Sequence, residues 1–429
     1  MYIETPSGCF APSGQHFSCH DTLCHTSCCM IMSVKRKEQM QMRLTVTVSD
    51  DKKQKVLEMA KKNFEEKHRG VFIEIEPLPR EILEQRLQSG SAPDLIEWDG
   101  SSIGGLLDHG IILELNNLLE DGSFDLLDFY PSVLQATKDQ GRIGSIPVMA
   151  EATGVFYNKA LFDQAGIAYP KENWTWDEFV KKARMLNRYD VDGEVIRYGA
   201  YLVPRLLPVE PLVWSNGGAF LSKDGMKAAG YLDSAETVEA IQRYLEMYHP
   251  LEVTPFEDVG KDTWFSCFVH HKMAMYYDAN WTIKPMGEEQ RETFGVVMPP
   301  RMGEEPLRNI VQVYGYCISA QCQDVQLAWA FLQELASPHT EPGREWAKHN
   351  LVVSRTAAEI SGQQSDPLYS PFLKSLENAR QSAFDLSSMK LWRFWNNDVF
   401  QEWIFRESRI NVEERLGRIA RQYDEILHT

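Results

Sequence analysis

The chain has 429 residues, of which 43% are apolar and 24% charged, with a formal net charge of −17. That length suits two or three domains of about 150 residues, each with a real core. The acidic balance argues against nucleic acid, which needs clustered Lys and Arg to displace phosphate counterions, and no run of about 18 apolar residues is present to cross a membrane.

Residues 1–40 stand apart from the rest. Five of the eight cysteines (Cys9, Cys19, Cys24, Cys28 and Cys29) fall here, beside His20 and His25. The segment lacks apolar periodicity and reads as a disordered tail. Zinc is the alternative, but paired CxxC spacing is missing. The basic start and apolar stretch of a secretory signal are also absent, and Met40 or Met42 offers a later start.

From residue 43 the pattern changes. "RLTVTVS" (43–49) alternates with period two and reads as a strand. A helix follows with Val56, Leu57, Ala60 and Phe64 on one face and Gly70 past its end. "VFIEIEPL" is a second strand, "REILEQRLQSG" a short helix and "PDLIEWDG" a third strand. Strands alternating with helices indicate a parallel α/β sheet, in which ligands sit beyond the carboxyl ends of strands. Residues 49–51 and 98–102 are therefore candidate site loops. Further on, "WTWDEF" pairs Thr175 with Glu178 as a capping box, with Trp174 placed to pack on Phe179. These tryptophans read first as a helix start and only second as a ligand platform. "DVDGE" (190–194) is too short for a calcium loop. Helices are expected over 325–338 and from Asn411 onward.

The ordered motifs "APDLIEWDG", "IPVMAEATGVFYNKALFDQAGI", "WTWDEF", "WSNGGAFL", "HHKMAMYYDANW" and "VQVYGYCISA…AWAFLQELASP" resemble the family 1 extracellular solute-binding proteins. Those are sugar-capturing components of bacterial ABC importers, and maltose-binding protein is a relative. The resemblance covers residues 43–427. It implies an α/β, two-lobed type II periplasmic-binding-protein fold, with a hinge and an interlobe ligand cleft. It implies crossings near 149–152, 312–315 and 351–354. The lobes are then residues 41–149 with 314–351, and 150–313 with 352–429.

The same resemblance carries over candidate ligand residues. Glu151 falls where the relative has a sugar-contacting Glu, and a carboxylate there accepts strong hydroxyl hydrogen bonds. Trp281 and Trp395 match stacking tryptophans, whose faces suit the C–H side of a sugar ring. Asn216 is a cleft candidate beside the turn residues Gly217 and Gly218, with Trp214 near it and Tyr314 in the second crossing. The chain also departs from the family pattern. "VSDDKK" replaces an early Trp-Gly motif, leaving Asp50 and Asp51 to bond hydroxyls. The Asp expected near "WDGSS" is displaced, leaving Asp99, Ser101 and Ser102 as substitutes.

The leading functional reading is thus a carbohydrate-binding protein, with no enzymatic activity, cofactor or metal, delivering an oligosaccharide to ABC permease subunits. It is expected to be monomeric and extracytoplasmic. A glycoside hydrolase needs two carboxylates flanking one bond at about 5 or 6.5–9.5 Å, which nothing in the sequence demands. A cytoplasmic sugar sensor is the remaining alternative.

Overall fold

The computed structural model describes residues 42–98, 103–203, 205–248, 251, 254, 264–382 and 410–427. The Cys-rich tail, with its zinc alternative, lies outside them. The strands that position the site are β1 (Met42–Val48), β2 (Val71–Pro77), β3 (Leu95–Trp98), β4 (Ile146–Asn158), β5 (Arg188–Tyr189), β6 (Val195–Leu202), β7 (Met273–Ala279), β8 (Phe294–Val297) and β9 (Val311–Ile318). The main helices are α1 (Asp51–Lys67), α2 (Trp176–Leu186), α3 (Leu206–Ser215), α4 (Ala235–Glu246), α5 (Val325–Ala336), α6 (Glu341–His349) and α7 (Val412–Leu427).

The strands join in the order β2-β1-β3-β9-β4-β7-β6-β5, with β8 also paired to β4. The expected parallel sheet is present in two places: β1 lies parallel to both β2 and β3, and β6 lies parallel to β7. Between them the sheet is antiparallel, because β9 pairs with both β3 and β4, and β4 with β7. Periodicity within one segment does not carry this information, because strand direction depends on which distant segment becomes the neighbour.

Strand β4 is the long element, with 13 residues. Residues 146–152 pair with β9, and residues 153–158 pair with β7 and β8. The segments expected as crossings lie side by side: Glu151 is opposite Gln312, and the Ala150 N–H donates to Leu351 O at 2.9 Å. Asn309, buried just before β9, ties that strand to the second half of β4. Its Oδ1 accepts from Thr153 Oγ1 at 2.6 Å and its Nδ2 donates to Thr153 O at 2.8 Å.

Period-two alternation sends successive side chains to separate cores. On β3, Leu95 joins the large core, while Ile96 and Trp98 join a small one on the other face. On β4, Phe156 faces the large core and Val155 a third. Helix α2 packs so closely on β6 that a Cβ on Gly199 would stand 1.8 Å from Ala183 O, so only glycine fits there.

The helix starts follow local chemistry. Thr175 Oγ1 accepts from the Glu178 N–H while the Glu178 carboxylate accepts from the Thr175 N–H, which completes the capping box. Trp174 and Trp176 are 3% and 2% exposed, and the Trp174 ring meets Phe179 edge-on at 5.5 Å. The pair belongs to the core at a helix start and not to a ligand platform. The helix expected from Asn411 is α7, whose Glu414 N–H donates to Asn411 Oδ1 at 3.1 Å.

Candidate functional site

Glu151 occupies the point in β4 where the pairing partners change, so its side chain reaches residues from both halves of the sheet. Tyr314 of β9 donates its hydroxyl to Glu151 Oε2 at 3.2 Å. The residue is half-buried by surface exposure, yet protein crowds its carboxyl. Burial pushes that carboxyl up to about 7, and the hydrogen bond from Tyr314 and the charge of Lys53 only partly offset it. The group is therefore poised between acid and carboxylate near neutral pH.

Lys53 closes one side. The first turn of α1 carries it over the Tyr314 ring, with Nζ 4.4 Å from the ring centroid. Its ammonium pairs with Glu97 Oε1 of β3 at 2.5 Å and approaches Asp50 Oδ2 at 3.5 Å. Glu97 is itself held by the Ser49 N–H at 2.7 Å and the Ser49 hydroxyl at 2.9 Å. A lysine that is 13% exposed and paired with a carboxylate that is 8% exposed is fixed in place.

Next to Glu151 also lies a single 3-10 turn, Asn280–Ile283, which follows β7. Asn280 Oδ1 accepts from the Ala152 N–H at 2.8 Å, which locks the turn beside Glu151. Trp281, next in the chain, is half-buried. Its indole N–H donates to Asp278 Oδ2 at 3.0 Å, and the same oxygen accepts from Tyr276 at 2.8 Å. Burial raises the Asp278 carboxyl above its ordinary range, opposed by the hydrogen bonds from Tyr276 and Trp281 and the charge of Arg205. An indole pinned by its N–H has a fixed plane and keeps part of its surface for contact.

The expected residues thus divide. The structure brings Glu151, Tyr314 and Trp281 together, joined through β4 and the Asn280 turn. Asp50 lies beside Lys53, with Oδ1 capping α1 by accepting from the Lys52 and Lys53 N–H groups. Those hydrogen bonds and the Lys53 charge hold the Asp50 carboxyl below its usual range despite partial burial. Asp51, the first residue of α1, is exposed. Trp214 and Asn216 stand at the end of α3 and engage other partners. Arg380 lies over the Trp214 ring at 5.7 Å, and Asn216 Nδ2 donates to Glu236 O of α4 at 2.8 Å. Gly217 takes a positive φ of 86° there, as a turn requires. Asp99, Ser101, Ser102 and Trp395 lie outside the described residues.

Sequence reasoning missed Lys53, Glu97 and Asp278. Only Asp278 carried a local signal, three residues before Trp281 on an apolar strand. Among the described residues no cluster of His, Cys, Asp or Glu could hold a metal, and no helix is long and apolar enough to cross a membrane.

Comparison with known proteins gives this geometry its context. A binding protein of Brucella abortus is 29% identical over 218 residues, covering 48% of this chain and 50% of that one. The maltotriose-binding protein of Pyrococcus abyssi is 25% identical over 271 residues, covering 61% of this chain and 55% of that one. The chain thus spans about half the length of these relatives. The fold of the sugar-binding protein MalE from Xanthomonas citri superposes with a TM-score of 0.74 at 16% identity, over 90% of this chain and 98% of that one. Residues 49–341 match the bacterial extracellular solute-binding protein family, and the chain belongs to it.

Proposed function

We propose that this protein binds a carbohydrate, of oligosaccharide size, and hands it to the permease of an ABC transporter without chemical change. The observation that carries the reading is the pairing of Glu151 with Trp281: a hydroxyl-seeking carboxylate on β4, and a half-buried indole pinned on Asp278 of β7 in a turn that Asn280 ties to Ala152, the residue after Glu151. A sugar ring needs both, one for its hydroxyls and one for its C–H face. Relatives support the choice of ligand, since maltotriose and other sugars are named for them. Asp50, Asp51 and Tyr314 act as further hydroxyl partners, and Trp395 as a second stacking surface. Asp99 with Ser101, and Trp214 with Asn216, extend the contact set. The lobes we assign are residues 41–149 with 314–351 and 150–313 with 352–429, closing on ligand outside the cytoplasm.

Hydrolysis is disfavoured by how the carboxylates near Glu151 are engaged. Asp278 accepts from two donors, and Asp50 caps a helix. A thermal-shift screen against mono- and oligosaccharides tests the reading. A ligand at about 100 times its Kd raises stability by about 2.7 kcal/mol. Unchanged melting with every sugar, or turnover of a chromogenic glycoside, overturns it.

A further inference from the structure

An indole that is only half-buried needs no protein acceptor for its N–H, since water can serve. Trp281 is half-buried, yet its Nε1 donates at 3.0 Å to Oδ2 of Asp278, a residue that is 5% exposed. The buried tryptophans Trp174 and Trp346 use backbone carbonyls for the same purpose, Met298 O at 2.8 Å and Leu335 O at 3.2 Å. A buried carboxyl is a costly acceptor by comparison, and one attested use of such a group is to fix one arrangement among several.

The acceptor is itself held rigidly. Asp278 lies on β7 opposite Gly154 of β4, and its Oδ2 also accepts from the Tyr276 hydroxyl at 2.8 Å. The Tyr276 ring stacks on Tyr201, with centroids 5.7 Å apart and planes 12° apart, and on Phe268 at 5.6 Å and 26°. Phe268 in turn stacks on Phe294 of β8 at 4.4 Å. A ring in such a column cannot swing without losing its stacking partners. The turn that carries Trp281 is the other fixed point, because Asn280 Oδ1 accepts from the Ala152 N–H at 2.8 Å. With its backbone and its Nε1 both tied, the indole keeps one setting of χ1 and χ2.

We infer that Asp278 is a positioning residue for sugar binding: its Oδ2 sets the plane of the Trp281 indole, and Tyr276 holds that oxygen in place. This rests on the sugar-binding reading above and deepens it. A ring that is ordered before the ligand arrives does not have to be ordered on binding. Removing the carboxylate leaves the indole present but free to turn.

The test is a double-mutant cycle read by calorimetric titration of the full chain with maltotriose, cellotriose and β-1,4-mannotriose. Asp278→Ala is made in the parent and in Trp281→Phe, whose ring can stack but has no N–H to pin. In the parent, Asp278→Ala should weaken the tightest-bound sugar about fivefold, as expected when a side chain must be ordered on binding. In Trp281→Phe the same change should weaken it less than about twofold. Asp278→Asn, which keeps an acceptor oxygen, should retain most of the parent's affinity. An equal loss in both backgrounds means that Asp278 acts on the ligand or the fold directly, and overturns the assignment. Asp278→Val, which refills most of the space on a strand, serves where Asp278→Ala fails to fold. The indole N–H resonance of Trp281, identified by its absence in Trp281→Phe, gives a readout that needs no sugar. It should exchange slowly with solvent in the parent and rapidly in Asp278→Ala, while the other indole resonances keep their rates. Rapid exchange in the parent overturns the positioning role. Slow exchange in a protein that binds none of the sugars upholds it and counts against the sugar reading alone.

Discussion

The Trp174–Trp176 pair and Trp281 both stand at a helical turn, and they use the indole differently. Trp174 and Trp176 flank the cap of α2, are 3% and 2% exposed, and stack among Phe179 and Tyr244. Trp281 lies in a 3-10 turn, is half-buried, and is held by its N–H on the buried Asp278. The contrast separates an aromatic that stabilises the fold from one that a rigid frame holds ready. In the first case the indole packs on apolar neighbours, and in the second a charged group fixes its edge and leaves surface for a ligand.

Substitution should split the two places by what is lost. Trp176→Ala removes a fully buried ring from the core beneath α2 and should cost about 3–5 kcal/mol of unfolding free energy, read from denaturant titration. A loss below about 1 kcal/mol would mean that this tryptophan is not core.

A second difference is electrostatic, since the buried tryptophan core carries no titrating group comparable to Glu151. The Glu151 carboxyl titrates at about 7 in the folded protein, well above its unfolded value. A raised folded pKa contributes stability that is fully present below the unfolded value and is lost as pH rises through the folded one. Glu151→Gln should therefore match the parent near pH 4 and become more stable than it by pH 8. The gain should be on the order of 2 kcal/mol, since a pKa that differs by one between the folded and unfolded states is worth about 1.4 kcal/mol and the group is only half-buried. Paired melting curves across that pH range check this, and a constant difference between the two proteins would contradict it. The same titration should strengthen hydroxyl binding as pH rises through 7, because the carboxylate is the better acceptor.

The smallest effect belongs to the cap. Thr175→Ala removes one side-chain acceptor at the start of α2 and should cost about 1 kcal/mol in stability, with sugar affinity unchanged. A change in affinity would couple the two places that are here held separate.

Much of the fold was readable because its signals are local. The capping box of Thr175 and Glu178, the apolar face Val56–Leu57–Ala60–Phe64 and the Asn411 helix start each lie within a few residues of chain. The site was readable only through resemblance, and then in part. Glu151 and Tyr314 meet although 163 positions separate them, and Ala152 meets Asn280 across 128. Such contacts are set by the register of β4 with β9 and β7, which no single window encodes. Lys53 has no motif of its own and looks like an ordinary surface lysine until β3 and β9 are placed beside it. Asp50 carries a further local signal, since an Asp directly before an amphipathic run marks a helix cap, and its Oδ1 does cap α1.

The central claim is that Trp281, with Glu151 beside it, forms the sugar-binding surface. Calorimetric titration of the parent and Trp281→Ala, with the best sugar from the screen, tests it most directly. Truncating a buried interface aromatic costs about 2 kcal/mol, so the variant should bind roughly 30-fold more weakly while its circular dichroism and melting stay close to the parent's. Unchanged affinity in a folded Trp281→Ala protein would contradict the account.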